Sequence, residues 1–364
     1  MSGFSFGFSG DDIDIDDPDA QGFNEQSINQ KTSATSILPE LVKAQRHDMN
    51  EWLPTLPSQI SYNKCVVSPF QENDCTSITV ARRDVFDIRA QLMVEDSAEE
   101  QNSELIAGLE KGDIKPNFYE GGFKTWECSI DLGRLIVGEK VEGGNKHIVE
   151  LGAGTAVPSL TLFAQLLSQT GSEAPRTHFT FADYNSAVLR LVTLPNLILT
   201  WNHFVTRRNA SASSDLQEED QVNETEEEML DITPELLSAF ETDLAKRGIT
   251  VSFVSGAWSP SFVDLVFSST ELAGFITLVV ASETIYSPAS LHAFSKTLLD
   301  LLRRPSAGSR ALVAAKKVYF GVGGGVDEFL AVLRTVSETS PSVKVEERLD
   351  VKSEGVGRII LQIE

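Results

Sequence analysis

The segment His147–Thr155, with the sequence HIVELGAGT, constrains the fold of this chain more than any other. A short apolar run of high strand propensity ends in a turn that contains Gly152 and Gly154, and Pro158 then opens an apolar helix. The residues of that helix that fall on one face are Leu160, Phe163, Ala164 and Leu167. The segment therefore predicts a strand, a tight turn and a helix.

The two glycines let a ligand approach the backbone where no Cβ intervenes, and the start of the helix directs unpaired N–H groups toward that ligand. This arrangement favours a mononucleotide-like cofactor. The same turn also occurs in α/β proteins that bind nothing there, so the turn alone leaves both interpretations open.

Negative charge is concentrated in two tracts. Residues 11–25 contain seven acidic residues and residues 215–231 contain nine, with no basic residue in either, so together they contribute −16 of the formal net charge of −23. We interpret the first as part of a disordered acidic tail at residues 1–25, and the second as part of an acidic insertion at residues 209–232. Each is either a solvated segment or an attraction for a basic partner. Direct binding of nucleic acid is not expected, because it requires clustered Lys and Arg.

The three cysteines, at positions 65, 75 and 128, form neither a Cys-x-x-Cys pair nor an even set. This pattern predicts a reduced, intracellular protein without a metal site, and we expect it in the cytoplasm and the nucleus. No apolar run has the length of a membrane span, and the acidic start does not resemble a signal peptide. We therefore expect no membrane association, and a monomer.

Residues 26–114 contain strand-like runs at 60–67 and 76–88 and a short helical run at 99–109. They carry no recognisable chemistry. We interpret them as an N-terminal extension that packs on a main domain of residues 115–364.

The main domain begins with a Gly-Gly turn at 121–122 that leads to Trp126 and the start of an apolar helix. This segment is either a capped, buried helix or a lid over the ligand. A strand-like run at 177–184 ends in Asp183. Because parallel sheets bind ligands beyond their strand ends, this carboxylate is placed to accept hydrogen bonds from a ribose diol, and it could also cap the next helix.

Two further strands end at Gly256-Ala257-Trp258 and at Ser282-Glu283-Thr284-Ile285-Tyr286. Trp258 is placed either in the core or over a flat purine ring. A fifth strand is predicted at 311–320, and a terminal pair at 343–349 and 358–362. The pattern predicts a Rossmann-like α/β fold with a mostly parallel seven-stranded sheet that closes in a C-terminal antiparallel hairpin, whereas dinucleotide-binding folds usually continue in parallel.

Five motifs occur in order: GGFKTWE at 121–127, VELGAG at 149–154, DYNxxVL at 183–189, GAW at 256–258 and SETIY at 282–286. With the closing hairpin, they resemble the motif set of the protein-histidine N-methyltransferases, which have the seven-β-strand class I methyltransferase fold. The opening FSFGF segment, followed by acidic residues, is similar to the start of the fungal members.

This resemblance implies S-adenosyl-L-methionine as the cofactor, and as the acceptor a histidine of the third large-subunit ribosomal protein, a basic protein substrate. The positions expected to bind the cofactor are Trp126, Glu127 and Cys128 on the methionine side, Gly152 and Gly154 beneath it, Asp183, Tyr184 and Asn185 at the ribose, Gly256, Ala257 and Trp258 around the adenine, and Ser282 closing the pocket. Relatives commonly carry Cys or Ser at the position of Ala153, and an acidic residue at that of Ala257. The second difference removes one adenine contact.

Methyl transfer from a sulfonium is an in-line displacement, so much of the catalysis is positioning. A neutral imidazole is already nucleophilic, and the enzyme must select the tautomer whose attacking nitrogen is bare by accepting the other N–H. Glu283 is the first candidate for that catalytic acceptor and Tyr286 the second. Glu283 is alternatively a cofactor contact or a cap.

Three other functions are considered. A lysine methyltransferase of the same fold shares the acid-x-x-Tyr segment. A nicotinamide-dependent oxidoreductase is disfavoured by the closing hairpin and by Val157, which stands where a third glycine is needed. A non-catalytic ribosomal-protein chaperone would keep the fold without turnover.

Overall fold

A computed structural model describes residues 42–71, 77–95, 121–139, 143–169, 175–212, 227–269, 272–305, 307–321, 323–337, 343–352 and 355–364. The predicted acidic tail, the helical run at 99–109 and Cys75 lie outside the described residues, as does most of the second acidic tract.

Eleven strands are assigned within the described residues. In chain order they are β1 (Gln45–His47), β2 (Gln59–Val67), β3 (Ile78–Arg83), β4 (Lys146–Leu151), β5 (Thr177–Asp183), β6 (Glu228–Asp231), β7 (Ile249–Ser255), β8 (Ile276–Ser282), β9 (Ser309–Lys316), β10 (Val345–Val351) and β11 (Arg358–Ile363). They form a sheet of eight strands in the order β1-β7-β5-β4-β8-β9-β11-β10 and a sheet of three in the order β3-β2-β6.

The larger sheet has the predicted architecture. Strands β7, β5, β4, β8 and β9 are parallel, and β11 pairs antiparallel with both β9 and β10. The mostly parallel sheet with a closing antiparallel hairpin, which is the class I methyltransferase arrangement, is therefore confirmed. The eighth strand, β1, was not predicted: it has three polar residues and no apolar alternation, and it pairs antiparallel with the edge of β7.

The helices flank these strands. In chain order they are α1 (Met49–Trp52), α2 (Val85–Glu95), α3 (Glu127–Gly138), α4 (Val157–Ser168), α5 (Ser186–Val188), α6 (Leu194–Ala212), α7 (Pro234–Lys246), α8 (Pro260–Val266), α9 (Pro288–Arg303) and α10 (Val326–Ser337). A 3₁₀ turn at Leu53–Thr55 follows α1, and a π-helical turn at Leu189–Thr193 joins α5 to α6. Within the part of the chain that is described, no helix is both long and apolar enough to cross a bilayer.

Several boundaries differ from the sequence prediction. The strand predicted at 311–320 is Ser309–Lys316, and the one predicted at 343–349 is Val345–Val351. The strand predicted at 76–88 ends at Arg83, because the Asp84 carboxylate accepts the Phe86 amide at 2.7 Å and a helix begins there. The insertion predicted at 209–232 is not a single loop. Helix α6 continues to Ala212, and β6 pairs with β2 at the end of the acidic tract.

Apolar side chains cover both faces of the larger sheet. One core cluster joins α3, α4 and α6 to the sheet and includes Leu132, Phe163 and Phe181. The other joins α8, α9 and α10 to it, with Phe294 and Phe329 at its centre. Since burial of one such side chain contributes about 1.5–3 kcal/mol, these clusters hold the strand ends in fixed relative positions.

A row of polar side chains is also buried across strands β4, β5 and β7. His147 contacts Thr180 at 2.9 Å, and His178 contacts Ser252 at 3.0 Å. Burial, and secondly the neighbouring His178, lowers the pKa of His147 to about 3. Burial, and secondly Arg46, lowers the pKa of His178 to about 4. Both imidazoles are therefore neutral in the folded protein.

Because His147 and His178 are both neutral when folded, we expect the protein to lose stability in acid. Unfolding returns each pKa to about 6.5, so the stability contributed by a neutral histidine is complete above that pH and is lost as the pH falls toward the folded-state pKa. Between about pH 6.5 and about pH 5 the wild type should lose about 2 kcal/mol more than His147→Gln. Urea unfolding at the two pH values measures this difference. His292→Gln, at an exposed position, is the control. Equal pH dependence of wild type and His147→Gln would contradict the prediction.

Candidate functional site

The turn after β4 leaves little space for a side chain at either of its two glycines. Gly152 and Gly154 have φ of +65° and +51°. A Cβ on Gly152 would lie 2.7 Å from the Thr284 side chain, and one on Gly154 would lie 3.1 Å from the carbonyl oxygen of Gly122. Glycine is therefore required here both by backbone conformation and by the close approach of two other segments.

Asp183 ties this turn to the end of the neighbouring strand β5. Its Oδ2 accepts the Gly154 amide at 3.1 Å, and its Oδ1 accepts the Asn185 amide at 3.2 Å. The cap of the following helix is Asn185, whose side chain accepts the Ala187 amide at 2.9 Å. The Asp183 carboxylate is buried at the carboxyl end of the sheet, where the ribose contact was predicted.

The Gly-Gly segment contacts the glycine turn. Trp126 donates its indole N–H to the Gly121 carbonyl at 2.9 Å, and Thr125 donates to the Thr155 hydroxyl at 3.1 Å. Trp126 also stands directly before helix α3. The structure therefore shows the predicted helix start, and the lid over the ligand stays a prediction.

The loop after β7 is covered by the N-terminal extension. Gly256 donates its amide to the Asp183 carbonyl at 3.1 Å, and a Cβ on Gly256 would lie 2.7 Å from Ala44 Cα. Ala257 is buried, and its amide donates to the Val42 carbonyl at 2.9 Å. No sequence signal pointed to residues 42–44 beside the predicted adenine position.

Trp258 packs partly into the core. Its ring is edge-on to Phe262, with centroids 5.2 Å apart, and lies 5.9 Å from the Phe294 ring. The structure places the indole between α8 and α9, with part of its surface exposed.

Glu283 follows β8 in an unusual conformation. Its φ of +57° lies in the left-handed region, which is uncommon for a residue with a Cβ, and its amide donates to the Ala314 carbonyl at 3.0 Å. The side chain is 8% exposed, and its Oε1 atom is buried without a hydrogen-bond partner among the described residues. Burial, followed by the Glu283 charge, raises the pKa of both the Cys128 thiol and the Tyr319 hydroxyl. Both groups therefore remain protonated beside the carboxylate.

Lys316 and Tyr319 were not predicted as site residues. The Lys316 ammonium lies 3.3 Å from Glu127 Oε2, 3.9 Å from Glu283 Oε1 and 5.5 Å from the centroid of the Trp126 ring. Lys316 ends the fifth parallel strand and Tyr319 follows it, at the sheet edge that carries the other motifs. Their position at and just after the end of a parallel strand is the sequence signal that could have identified them as site residues.

The remaining candidates lie at the same edge. Tyr286 is half-buried, and its ring centroid is 6.3 Å from that of Tyr319. Ser282 ends β8 opposite Ala314 of β9, and Tyr184 is half-buried beside Asp183.

Direct contacts thus join all five motif segments around the carboxyl ends of β4, β5, β7 and β8. The edge offers a glycine turn at a helix start, a buried carboxylate and an acidic cluster that contains one lysine, a donor set that suits a cationic nucleoside ligand. Within the described ranges, no group of three or more His, Cys, Asp or Glu is arranged to hold a metal ion.

Relatives with similar sequences carry one name. "Histidine protein methyltransferase 1" of Saccharomyces cerevisiae is 33% identical over 378 residues, covering 99% of this chain and 98% of the relative. The protein of the same name from Schizosaccharomyces pombe is 34% identical, covering 99% of this chain and 92% of the relative. The Bos taurus homologue is 32% identical and covers 72% of this chain and 57% of its own length. No family model matches the sequence.

Among the solved structures that resemble this one is the rRNA methyltransferase AviRa from Streptomyces viridochromogenes. Its sequence is 12% identical, and the TM-score is 0.34 over 66% of this chain and 86% of that chain. Another is the N-methyltransferase NodS from Bradyrhizobium japonicum in complex with S-adenosyl-L-homocysteine, 12% identical, with a TM-score of 0.32 over 76% of this chain and 97% of that chain. At these values, neither structure bears on the chemistry of this site.

The crowding at Gly152 predicts that Gly152→Ala damages ligand binding. Alanine at positive φ costs about 1–2 kcal/mol, and its Cβ would also displace Thr284 at 2.7 Å. Calorimetric titration with S-adenosyl-L-homocysteine should show at least a tenfold loss of affinity. Gly274→Ala is the matched control, because Gly274 has a φ of +83° but nothing within 4 Å of the position that a Cβ would take. Equal affinity of the two variants would refute a ligand site at this turn.

Proposed function

This chain belongs to the histidine protein methyltransferase family, and on that basis we propose that it transfers a methyl group from S-adenosyl-L-methionine to a histidine imidazole of a protein. The observation that carries this proposal is the convergence of five motif segments at one sheet edge, together with two nearly full-length relatives of that name.

The residues at this edge fit the cofactor. Gly152 and Gly154 form the tight turn before α4, and Asp183, buried beside that turn, is the expected partner of the ribose hydroxyls. Trp126 and Glu127, at the start of α3, are the expected contacts of the methionine part. When bound, S-adenosyl-L-methionine supplies a methyl group activated by the positive charge on sulfur. The Glu127 and Glu283 carboxylates place negative charge where that positive charge is stabilised before transfer.

Glu283 is the proposed hydrogen-bond acceptor for the histidine. Its carboxylate lies past the end of β8, and its strained backbone is typical of residues held for a functional reason. By accepting one ring N–H, it leaves the lone pair of the other nitrogen free to attack. That nitrogen would take the methyl group from the sulfonium sulfur, which would keep the electron pair of the broken bond, and Glu283 would accept the proton of the other ring nitrogen. Tyr286 is the alternative acceptor.

The proposed client is a basic protein, the third large-subunit ribosomal protein. The resemblance to the histidine methyltransferases and the strongly acidic character of the chain, with a formal net charge of −23, support this proposal. A protein of this charge attracts a basic client as long as RNA has not yet neutralised the positive charge of the client. We also propose that the chain acts as a monomer in the cytoplasm and the nucleus, without binding nucleic acid directly.

Incubation of the protein with labelled S-adenosyl-L-methionine and the purified ribosomal protein, followed by mass spectrometry, tests the function. A single histidine should carry the label as one ring-nitrogen isomer. Glu283→Gln should be slower but should still yield one isomer, because an amide can also pair with the tautomer whose attacking nitrogen carries the proton and cannot react. Glu235→Gln, at an exposed position, is the control.

A labelled lysine, with activity that rises steeply toward about pH 9, would instead identify a lysine methyltransferase. Absence of label in any protein would favour a chaperone without turnover. A wild-type rate from Glu283→Gln would exclude Glu283 as the group that selects the tautomer.

The second acidic tract predicts salt-dependent capture of the client. The variant neutralises five of the seven acids between α6 and β6, at positions 218, 219, 220, 224 and 226. It retains Glu228, which pairs with Lys64 and with Tyr62. Its affinity for the ribosomal protein should fall at low salt and converge with the wild-type value at high salt. The control neutralises five exposed acids elsewhere, Glu51, Glu235, Asp327, Glu328 and Glu346. Equal salt dependence of wild type and tract variant would contradict the prediction.

A further inference from the structure

The turn between β4 and α4 holds three residues in the left-handed region. Gly152 and Gly154 are joined there by Ala156, which has a φ of +58° although it carries a Cβ. Such a conformation is uncommon outside glycine, and it persists only where neighbouring residues hold the backbone in place. Ala156 is buried, and its amide donates to the Ala153 carbonyl at 2.6 Å. The turn therefore needs contacts from other parts of the chain to keep its shape.

Two buried side chains of one helical segment supply such contacts. Thr193, the last residue of the π-helical turn, donates its hydroxyl to the Gly154 carbonyl at 2.7 Å. Asn196, near the start of α6, donates its side-chain amide to the Thr155 carbonyl at 3.0 Å. Both side chains are fully buried, and residues three apart lie on the same face of a helix. One helix face therefore holds two successive carbonyl groups of the turn.

Gly154 is held on two sides. Its amide donates to Asp183, the expected ribose contact, at 3.1 Å, and its carbonyl accepts from Thr193. Because the peptide bond is planar and trans, the Thr155 N–H points in the opposite direction from the Gly154 carbonyl, away from Thr193. Thr193 thus sets the orientation of the peptide group between Gly154 and Thr155, directly beside Asp183.

The N-terminal extension fixes the segment that carries these side chains. The Arg83 side chain is fully buried, and its guanidinium donates to the Leu191 carbonyl, inside the π-helical turn, at 3.0 Å. The Arg83 amide donates to Asn196 Oδ1 at 2.7 Å, which leaves the Asn196 N–H₂ group facing Thr155. Since π-helical turns are rare and occur frequently at functional sites, this packing points to a role in the site.

We propose that Thr193 is a positioning residue for the cofactor: its hydroxyl holds the peptide group between Gly154 and Thr155 in the orientation with which the turn borders the nucleoside. This inference rests on the proposed function, and it adds to the site a residue outside the five motif segments. Because Thr193 is fully buried, it acts through the backbone of the turn.

The test compares Thr193→Val with Thr200→Val in the full-length protein. Valine keeps the shape of threonine and removes the hydroxyl. Thr200 is a buried threonine of α6 whose hydroxyl accepts the Ala81 amide of β3 at 3.1 Å. In calorimetric titration, the Kd of Thr193→Val for S-adenosyl-L-homocysteine should rise about fivefold or more, because a buried carbonyl loses its partner. Thr200→Val should bind with wild-type affinity, and Thr193→Ser, which retains the hydroxyl, should restore the affinity.

Steady-state kinetics with the ribosomal protein separate positioning from a loss of folding. A misplaced turn should raise the KM of Thr193→Val for S-adenosyl-L-methionine and leave kcat at saturating cofactor close to the wild-type value. A partly unfolded enzyme would instead have a lower kcat with an unchanged KM, since only the concentration of active protein would fall.

Three results would overturn the inference. The first is wild-type affinity for S-adenosyl-L-homocysteine in Thr193→Val. The second is a lower kcat with unchanged KM, which would make Thr193 a structural residue. The third is an equal loss of affinity in Thr200→Val or in Thr193→Ser, which would show that the hydroxyl at Gly154 is not the cause. Absence of S-adenosyl-L-homocysteine binding by the wild type would instead defeat the proposed function itself, so the two failures are distinguishable.

Discussion

The hydrogen bond from the Gly154 amide to Asp183 is the interaction on which the site depends. At 3.1 Å it ties the turn after β4 to the end of β5, and it persists because both strands are buried along their whole length. A Cβ at Gly154 would lie 3.1 Å from the Gly122 carbonyl oxygen, so the same turn also sets the position of the Gly-Gly segment. Two glycines and one carboxylate thus determine how three separate parts of the chain meet.

Charged side chains form the opposite half of the site. Glu127 and Glu283 come from the start of α3 and the end of β8, and the Lys316 ammonium lies between them. The Arg358 guanidinium lies 3.9 Å from the same Glu127 carboxylate, so the two glutamates of the cluster stand beside two cations. The cofactor half depends on backbone geometry, whereas the acceptor half depends on side chains that surround one strained residue.

Much of this arrangement could be predicted from the sequence, because parallel strands carry their ligand-binding residues at one edge and the apolar runs identify the strands. Asp183 and Gly152 were found in this way. Residues 42–44 were not, since they cover Gly256 through backbone atoms and β1 has no apolar pattern. Arg83 ends a strand because Asp84 caps a helix, which local propensity did not reveal. Lys316 belongs to the site through its contacts with Glu127, Glu283 and Trp126, and Tyr319 through its ring contact with Tyr286. Such contacts leave no periodic signal in the sequence.

The most direct test of the central claim, that the five motif segments form one site for S-adenosyl-L-methionine, is a crystal structure of the protein with S-adenosyl-L-homocysteine. The account predicts that the ribose hydroxyls contact Asp183, that the backbone of Gly152 and Gly154 borders the ligand, and that the sulfur faces Glu283. A ligand bound away from Asp183, or with its sulfur on the side opposite Glu283, would contradict it.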